Sequence, residues 1–421
     1  MEISYICAGC LGNPSLIRFV HQNRKTRLKE CPICKSRNQY AVDIETISEH
    51  IAACINHNFS NLESRDGTDY DPDRNCFYYI DTDNPVEVTH ICEILEEHCV
   101  LDWSIDYDTR IEIYKAFFDN IYPKQGIYDD LAETGWSHAV SDDLFFSWKS
   151  FQYLIQNNNR FFDYQQQSRT AYLDKIFSVF HDFEDEISED TIFYRVRNDS
   201  NLQPGILDSE KSALKEISPA PCIFTKSYRM SPRGISYTYL SADIKTCMKE
   251  CNTKTGDRIL IGIFKTSKAL RILDLQIKEN PYVDLFSGRY DREKQNIGHF
   301  LKQYSSEISK PVDSNSEFDY LPTQVIAEYI RFKGYDGIAY CSAKTGKTNY
   351  VFFYGPDYDA FPEIRPQGWT PYIASVPSFT QAFTLKGCAF CEVKNSFSCD
   401  VSIEKTIGDF DIGVSDGRFA S

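Results

Sequence analysis

The sequence predicts an α+β protein, in which a small cysteine unit and a mainly helical stretch precede a domain of mixed strands and helices. Three observations carry that prediction. Two CxxC pairs stand within the first forty residues. Apolar residues then recur at helical spacing from about Ala41 to Asp190. From Thr191 onward, short β-branched and aromatic runs alternate irregularly with helical segments. That irregular order disfavours a doubly wound parallel sheet. The boundaries read 1–40, 41–190 and 191–421.

At 421 residues, 42% apolar and 14% aromatic, the chain has length for two or three domains with a real core. A formal charge of -16 argues against a general binder of nucleic acid or anionic membranes. No apolar run approaches a membrane span, and the start, Met-Glu-Ile-Ser-Tyr, lacks the regions of a secretory signal. Fifteen cysteines without an export signal read as reduced thiols, some of them metal ligands. The expectation is a soluble, cytoplasmic protein.

Taking the elements in order, Cys7, Cys10, Cys31 and Cys34 have close to the spacing of a four-thiolate zinc site. Each CxxC turn presents two sulfurs to one ion, and two turns complete a tetrahedron with no open position, so the metal is expected to be structural. Between the pairs lie Arg18, Arg24, Lys25, Arg27 and Lys29, the one basic stretch through which nucleic acid enters as a partner; a solvated face is the commoner meaning of such a run.

In the second stretch, Ile44, Ile47, Ile51 and Ile55 share a helical face, as do Ile111, Tyr114, Phe117 and Phe118. His50, His57, His90 and His98 are too scattered for a ligand set. A scaffold or sensor is expected here, closed by an acidic linker from His181 to Asp190.

In the third stretch, strands are predicted at Ile192–Arg197, Tyr237–Ser241, Arg258–Thr266, Leu270–Leu273, Gly337–Cys341 and Asn349–Tyr354. Helices are predicted on the Ile244, Cys247, Met248, Cys251 face and over Pro322–Arg331. Gly346-Lys347-Thr348 looks like the tail of a phosphate loop, but Cys341 stands where the earlier glycine belongs and a strand pattern follows. The loop joins two strands instead. Cys388, Cys391 and Cys399 could form a second metal site, but three cysteines with no histidine nearby read more readily as reduced structural thiols.

Arg195 in "IFYRVR", Arg229, Tyr239 at a strand end, Glu250 in the next helix, Ser342 after a strand and Asn349 after the loop each have a dull reading alone. Together with Tyr194, with "YLSADIKTCMKE", "LRILDL" and "YLPTQVIAEYIRFKGYDGIAYCSA", they follow one order and spacing over about Thr191 to Phe353. That stretch resembles the RES domain family. The segments "CAGCLGNPSL" and "CPICKS" also look like a zinc-binding domain found ahead of some RES and HEPN proteins.

The resemblance implies a fold related to the ADP-ribosyltransferase toxins and an enzyme that consumes NAD, in many cases a toxin paired with a helix-turn-helix antitoxin. By motif position the family's Arg, Glu and Ser fall on Arg195, Glu250 and Ser342. Arg229 and Tyr239 match pocket residues, and Tyr194 and Asn349 accompany them as substrate-binding positions. The long flanks on both sides depart from a compact toxin, leaving the antitoxin, another regulator or a homo-oligomer open. Cleaving the nicotinamide–ribose bond passes through an oxocarbenium-like state and releases a neutral group, so one carboxylate suffices. Arginine forks suit a pyrophosphate. The expected function is NAD degradation; the alternatives are a protein ADP-ribosyltransferase and a non-catalytic zinc adaptor that binds a nucleotide.

Overall fold

The computed structural model describes residues 3–61, 68–71, 76–79, 89–121, 136–138, 148–158, 160, 169–198, 204–288, 292–310, 317–368, 370, 376–410, 414–415 and 418–419. The chain divides into two compact units, Met1–Phe145 with Asn280–Gly298, and Phe146–Glu279 with His299–Ser421. The cysteine unit and the first helices share one unit, and the chain passes between units after Phe145, after Glu279 and after Gly298.

In the first unit, β1 (Tyr5–Cys7), β2 (Thr26–Glu30) and β3 (Arg37–Asp43) form an antiparallel sheet in the order β1-β3-β2. Helix α1 (Pro14–Gln22) begins with proline in its first turn and Asn13 as N-cap, whose side chain accepts from Ser15 N and Leu16 N. Helix α2 (Ile44–Asn58) buries Ile47, Ile51 and Ile55, the face read from the sequence, and Asp43 caps it through Thr46 N. α3 (Ile91–Glu97) and α4 (Tyr107–Ile121) add Ile94, Leu95, Tyr114 and Phe117 to the same core. The Asn280–Gly298 segment supplies Leu285 and Phe286 to it, and Asp284 accepts from Asn13 Nδ2 and Ser15 Oγ. His50 stacks on Phe19 with ring centroids 4.1 Å apart and His98 sits edge-on to Phe286; burial pushes both imidazoles down. They are packing histidines.

The second unit is built on one nine-stranded sheet: β4 (Glu184–Ile187), β5 (Ile192–Asn198), β6 (Thr238–Ser241), β7 (Arg258–Thr266), β8 (Leu270–Asp274), β9 (Gly337–Cys341), β10 (Thr348–Phe352), β11 (Phe383–Asn395) and β12 (Asp400–Gly408). The order is β12-β11-β7-β5-β6-β10-β9-β8-β4, and β8 with β9 is its parallel pair. The acidic run before Asp190, expected as a linker, holds β4, which pairs with β8 along the sheet edge.

Strand β7 lies between β5 and β11 and is buried on both faces. Leu260 and Phe264 join Phe193, Phe352 and Phe390 on one face, under helix α5 (Glu210–Ile217). Gly262 lies beneath that helix, where a Cβ would come within 2.7 Å of Ile217 Cγ1, so only glycine permits the approach. Ile259 and Ile261 face the other way, toward Val196, Cys391 and helix α6 (Ile244–Glu250). Cys388 and Cys391 fall on opposite faces of β11, which rules out a shared ion. No helix among the described residues is long and apolar enough to cross a membrane.

Candidate active site

The sheet is nearly split between β5 and β6. Their pairing reduces to Tyr194 opposite Ser241, whereas β5 pairs with β7 from Ile192 to Asn198. Parting strands leave backbone carbonyls without ladder partners, and a buried carbonyl needs a donor. Helix α6 supplies two: Cys247 Sγ donates to Tyr194 O at 3.2 Å and Cys251 Sγ to Val196 O at 3.1 Å. Burial pushes the Cys251 thiol up to about 11 and the Cys247 thiol further, so both stay protonated donors. The helix thus seals one side of the split and carries Glu250 in its last turn.

The loop between β9 and β10 grips α6 at both ends. Asp243 is the N-cap, accepting from Thr246 N at 2.8 Å, and Lys347 Nζ donates to its Oδ1 at 2.8 Å. At the other end Lys344 Nζ donates to the carbonyls of Lys249 at 2.9 Å and Glu250 at 3.1 Å, where a cation suits the helix dipole. The Gly346-Lys347-Thr348 stretch is therefore a hairpin turn, closed by Ser342 N to Lys347 O and Gly346 N to Ser342 O, both at 2.8 Å. Gly346 has φ 70°, a left-handed position that favours glycine.

Glu250 Oε1 accepts from Ser342 Oγ at 2.6 Å and Asn349 Nδ2 at 2.9 Å. Ser342 is 2% and Asn349 6% exposed, so the two donors are fixed by packing while the carboxylate itself reaches solvent. Glu250 Oε2 accepts no hydrogen bond among the described residues, and Lys344 Nζ is 3.9 Å from it. One oxygen is held and the other is presented.

Beside this carboxylate lies a pocket of about 350 Å³, whose walls include Arg195, Tyr228, Arg229, Tyr239, Glu250 and Asn349. Arg195 enters from β5; its Nη1 is buried and bonds no protein group among the described residues. Burial pushes the guanidinium below its ordinary value, yet an arginine stays protonated at neutral pH. Arg229 Nε donates to Lys310 O at 2.9 Å with its guanidinium over the Tyr320 ring. Tyr239 shares a hydrogen bond with Ser231 Oγ at 2.9 Å and leans on Tyr228, with centroids 5.7 Å apart. Helix α7 (Leu321–Phe332) fixes this wall, because buried Gln324 donates to Tyr228 O at 2.7 Å and Ser227 Oγ at 2.9 Å.

The structure therefore brings Arg195, Arg229, Tyr239, Glu250 and Asn349 to one cavity. Ser342 stands behind Glu250 and outside the lining. Tyr194 also lies outside it and packs with Val196, Ile244 and Met248. Arg195 and Tyr194 point to opposite faces of the strand. Tyr228, Gln324 and Lys344 were not singled out from the sequence. Gln324 left a signal, a polar residue amid the apolar Ile326, Ala327 and Ile330 of one helix.

In the first unit the sulfurs of Cys7, Cys10, Cys31 and Cys34 lie within 4.8 Å of one another. The separations of 3.5 Å for Cys7–Cys34 and 3.6 Å for Cys7–Cys10 and Cys10–Cys31 approach the ~3.8 Å edge of a tetrahedron with Zn–S of about 2.3 Å. Hydrogen bonding from Cys10 pulls the Cys7 thiol down to about 5 while Cys10 is pushed up, because crowded sulfurs share one charge. A divalent cation would let all four ionise, so the donor set fits zinc.

No curated protein matches the chain. Among solved structures, a chain from the crystal structure of the M. tuberculosis MbcT-MbcA toxin-antitoxin complex is 12% identical over 52% of this chain and 92% of its own, with a TM-score of 0.26, too low to support a structural argument. The family comparison begins ten positions beyond Arg195 and takes in Arg229, Tyr239, Glu250, Ser342 and Asn349: residues 205–373 match the family model of the RES domain.

Proposed function

We propose that this pocket cleaves the nicotinamide–ribose bond of NAD, with water or phosphate as acceptor, and that the protein acts as a toxin or defence effector by depleting NAD. One observation carries the reading: a carboxylate with one oxygen held and one presented shares a pocket with a buried guanidinium atom that has no hydrogen-bond partner among the described residues. The first suits a developing ribosyl cation and the second a phosphate anion. The RES-domain match over residues 205–373 supports the same assignment.

In the derived mechanism, Arg195 binds the pyrophosphate through its forked donors, and Arg229 adds positive charge at the same wall. Tyr239 and Tyr228 offer ring faces to a base. As the glycosidic bond lengthens, positive charge builds on the ribose, and Glu250 stabilises it through Oε2. Nicotinamide leaves neutral, so no general acid is required. Ser342 and Asn349 keep the carboxylate aimed, which makes Ser342 a positioning residue. Cys7, Cys10, Cys31 and Cys34 would hold a structural zinc that takes no part in this chemistry. Depleting NAD harms the producing cell, so the reading calls for a regulator, of which a helix-turn-helix antitoxin is one form.

The test is to incubate the purified full chain with NAD and follow free nicotinamide together with ADP-ribose or its phosphorylated form. Absence of release, with protein shown to be folded, would overturn the proposal. Nicotinamide release with ADP-ribose retained on protein would instead identify a transferase.

A further inference from the structure

The cysteine unit concentrates positive charge in an acidic protein. Between Arg18 and Arg37 stand seven basic side chains and one acid, a net of +6, against -16 for the whole chain. All seven are exposed. Lys25 is paired with Asp43 at 2.6 Å and Arg37 with Glu30 at 3.3 Å, whereas Arg18, Arg24, Arg27 and Lys29 have no ion pair among the described residues.

Strand β2 and the Tyr40 ring gather Arg24, Arg27 and Lys29 at one face. Thr26 and Leu28 of β2 are half-buried, so Arg27 and Lys29 between them point outward. Arg27 sits directly across the ladder from Tyr40, and the Arg24 and Arg27 guanidinium groups lie 4.6 and 5.4 Å from its ring. The ring orders both cations at the surface and is itself covered by them. Single-strand binders need open rings on which bases stack, and this face offers its central ring already occupied. Ordered cations on a two-stranded ribbon suit a duplex: the major groove of B-form DNA admits such a ribbon, whereas that of A-form RNA is too narrow.

We propose that the β2–β3 ribbon docks on duplex DNA through its phosphate backbone, independently of sequence, with Arg24, Arg27 and Lys29 as the central contacts. This inference stands apart from the NAD pocket.

The experiment measures binding of the full chain to short mixed-sequence DNA duplex, single-stranded RNA and duplex RNA by fluorescence anisotropy over a salt series. Duplex DNA should bind best, and log affinity should fall with log salt at a slope of about -0.9 for each phosphate contacted. R24E/R27E/K29E should weaken binding at least about tenfold and reduce the slope by about two to three. Melting curves establish folding, and R24Q/K29Q provides a milder variant that should weaken binding in the same direction. No duplex binding at low salt, unchanged affinity in both folded variants, or tighter binding of either RNA would overturn the proposal.

Discussion

Ser342 Oγ donates to Glu250 Oε1 at 2.6 Å, tying a hairpin loop to a helix end that lies 92 positions earlier. A buried hydroxyl with this partner restricts the carboxylate to one rotamer, so its effect should appear in turnover more than in binding. Glu250→Gln is expected to lower nicotinamide release on the order of a hundredfold to a thousandfold with NAD affinity nearly intact. Ser342→Ala should lower kcat about tenfold to a hundredfold at little-changed KM. Added to Glu250→Gln, it should cost much less than it does alone, because residues acting through one contact are non-additive. Full additivity in steady-state kinetics would separate Ser342 from Glu250.

Arg195 makes a contrasting prediction. A pyrophosphate contact operates in both ground and transition states, so Arg195→Ala should raise KM and NAD dissociation constant together, by about tenfold or more. Because Nη1 is buried without a hydrogen-bond partner among the described residues, removing it should not lower the melting temperature. Calorimetric titration beside a thermal melt checks both halves; a variant that binds NAD normally refutes the assignment.

The grip on α6 should be sensitive to acid. Burial pushes the Asp243 carboxyl up, but Lys347 and the Thr246 donors outweigh it and hold the group below the usual carboxylate range. Its folded pKa is depressed, so its stabilising contribution is present above the unfolded value of about 3.9 and is lost as pH falls through the folded value. Asp243→Ala should cost about 1 kcal/mol at neutral pH by uncapping the helix. The deficit relative to the parent protein should shrink in denaturation curves as pH falls below the unfolded value of about 3.9 and on through the depressed folded value, where the parent carboxyl is also protonated. A constant deficit at all pH values contradicts the cap.

Elemental analysis of purified protein should find about one zinc per chain, the content of a single four-thiolate site. Serine at Cys10 should remove most of it and destabilise the first unit, and chelators should do the same slowly. Metal-free protein with unchanged melting behaviour excludes the site.

Much of the second unit could be read directly. Arg258–Thr266 and Gly337–Cys341 were expected within those bounds and are strands there, because dense β-branched runs bounded by turn residues have few other uses. Two kinds of strand escaped. β4 has three exposed acidic positions and reads as a linker; charge on an edge strand is what keeps it from pairing with other chains. β11 is buried on both faces in its middle, so its Gly-Cys-Ala-Phe-Cys run lacks the alternation that marks a strand. In the pocket, the family resemblance pointed to Arg195, Glu250 and Ser342, each dull when read alone, but only distance in space shows Ser342 and Lys344 supporting Glu250 and its helix end. Tyr194 shows the limit from the other side: adjacency in sequence to Arg195 is adjacency to the opposite face of a strand.

The excursion of Asn280–Gly298 into the first unit bears on what a protease can release. A nick after Phe145 divides the polypeptide, yet the C-terminal piece still lends Leu285 and Phe286 to the core of the N-terminal piece and ties Asp284 to Asn13 and Ser15. The two fragments should remain associated until that core melts. Expressed as separate polypeptides, they should form a complementation pair whose reassembly requires the 280–298 segment to find its place.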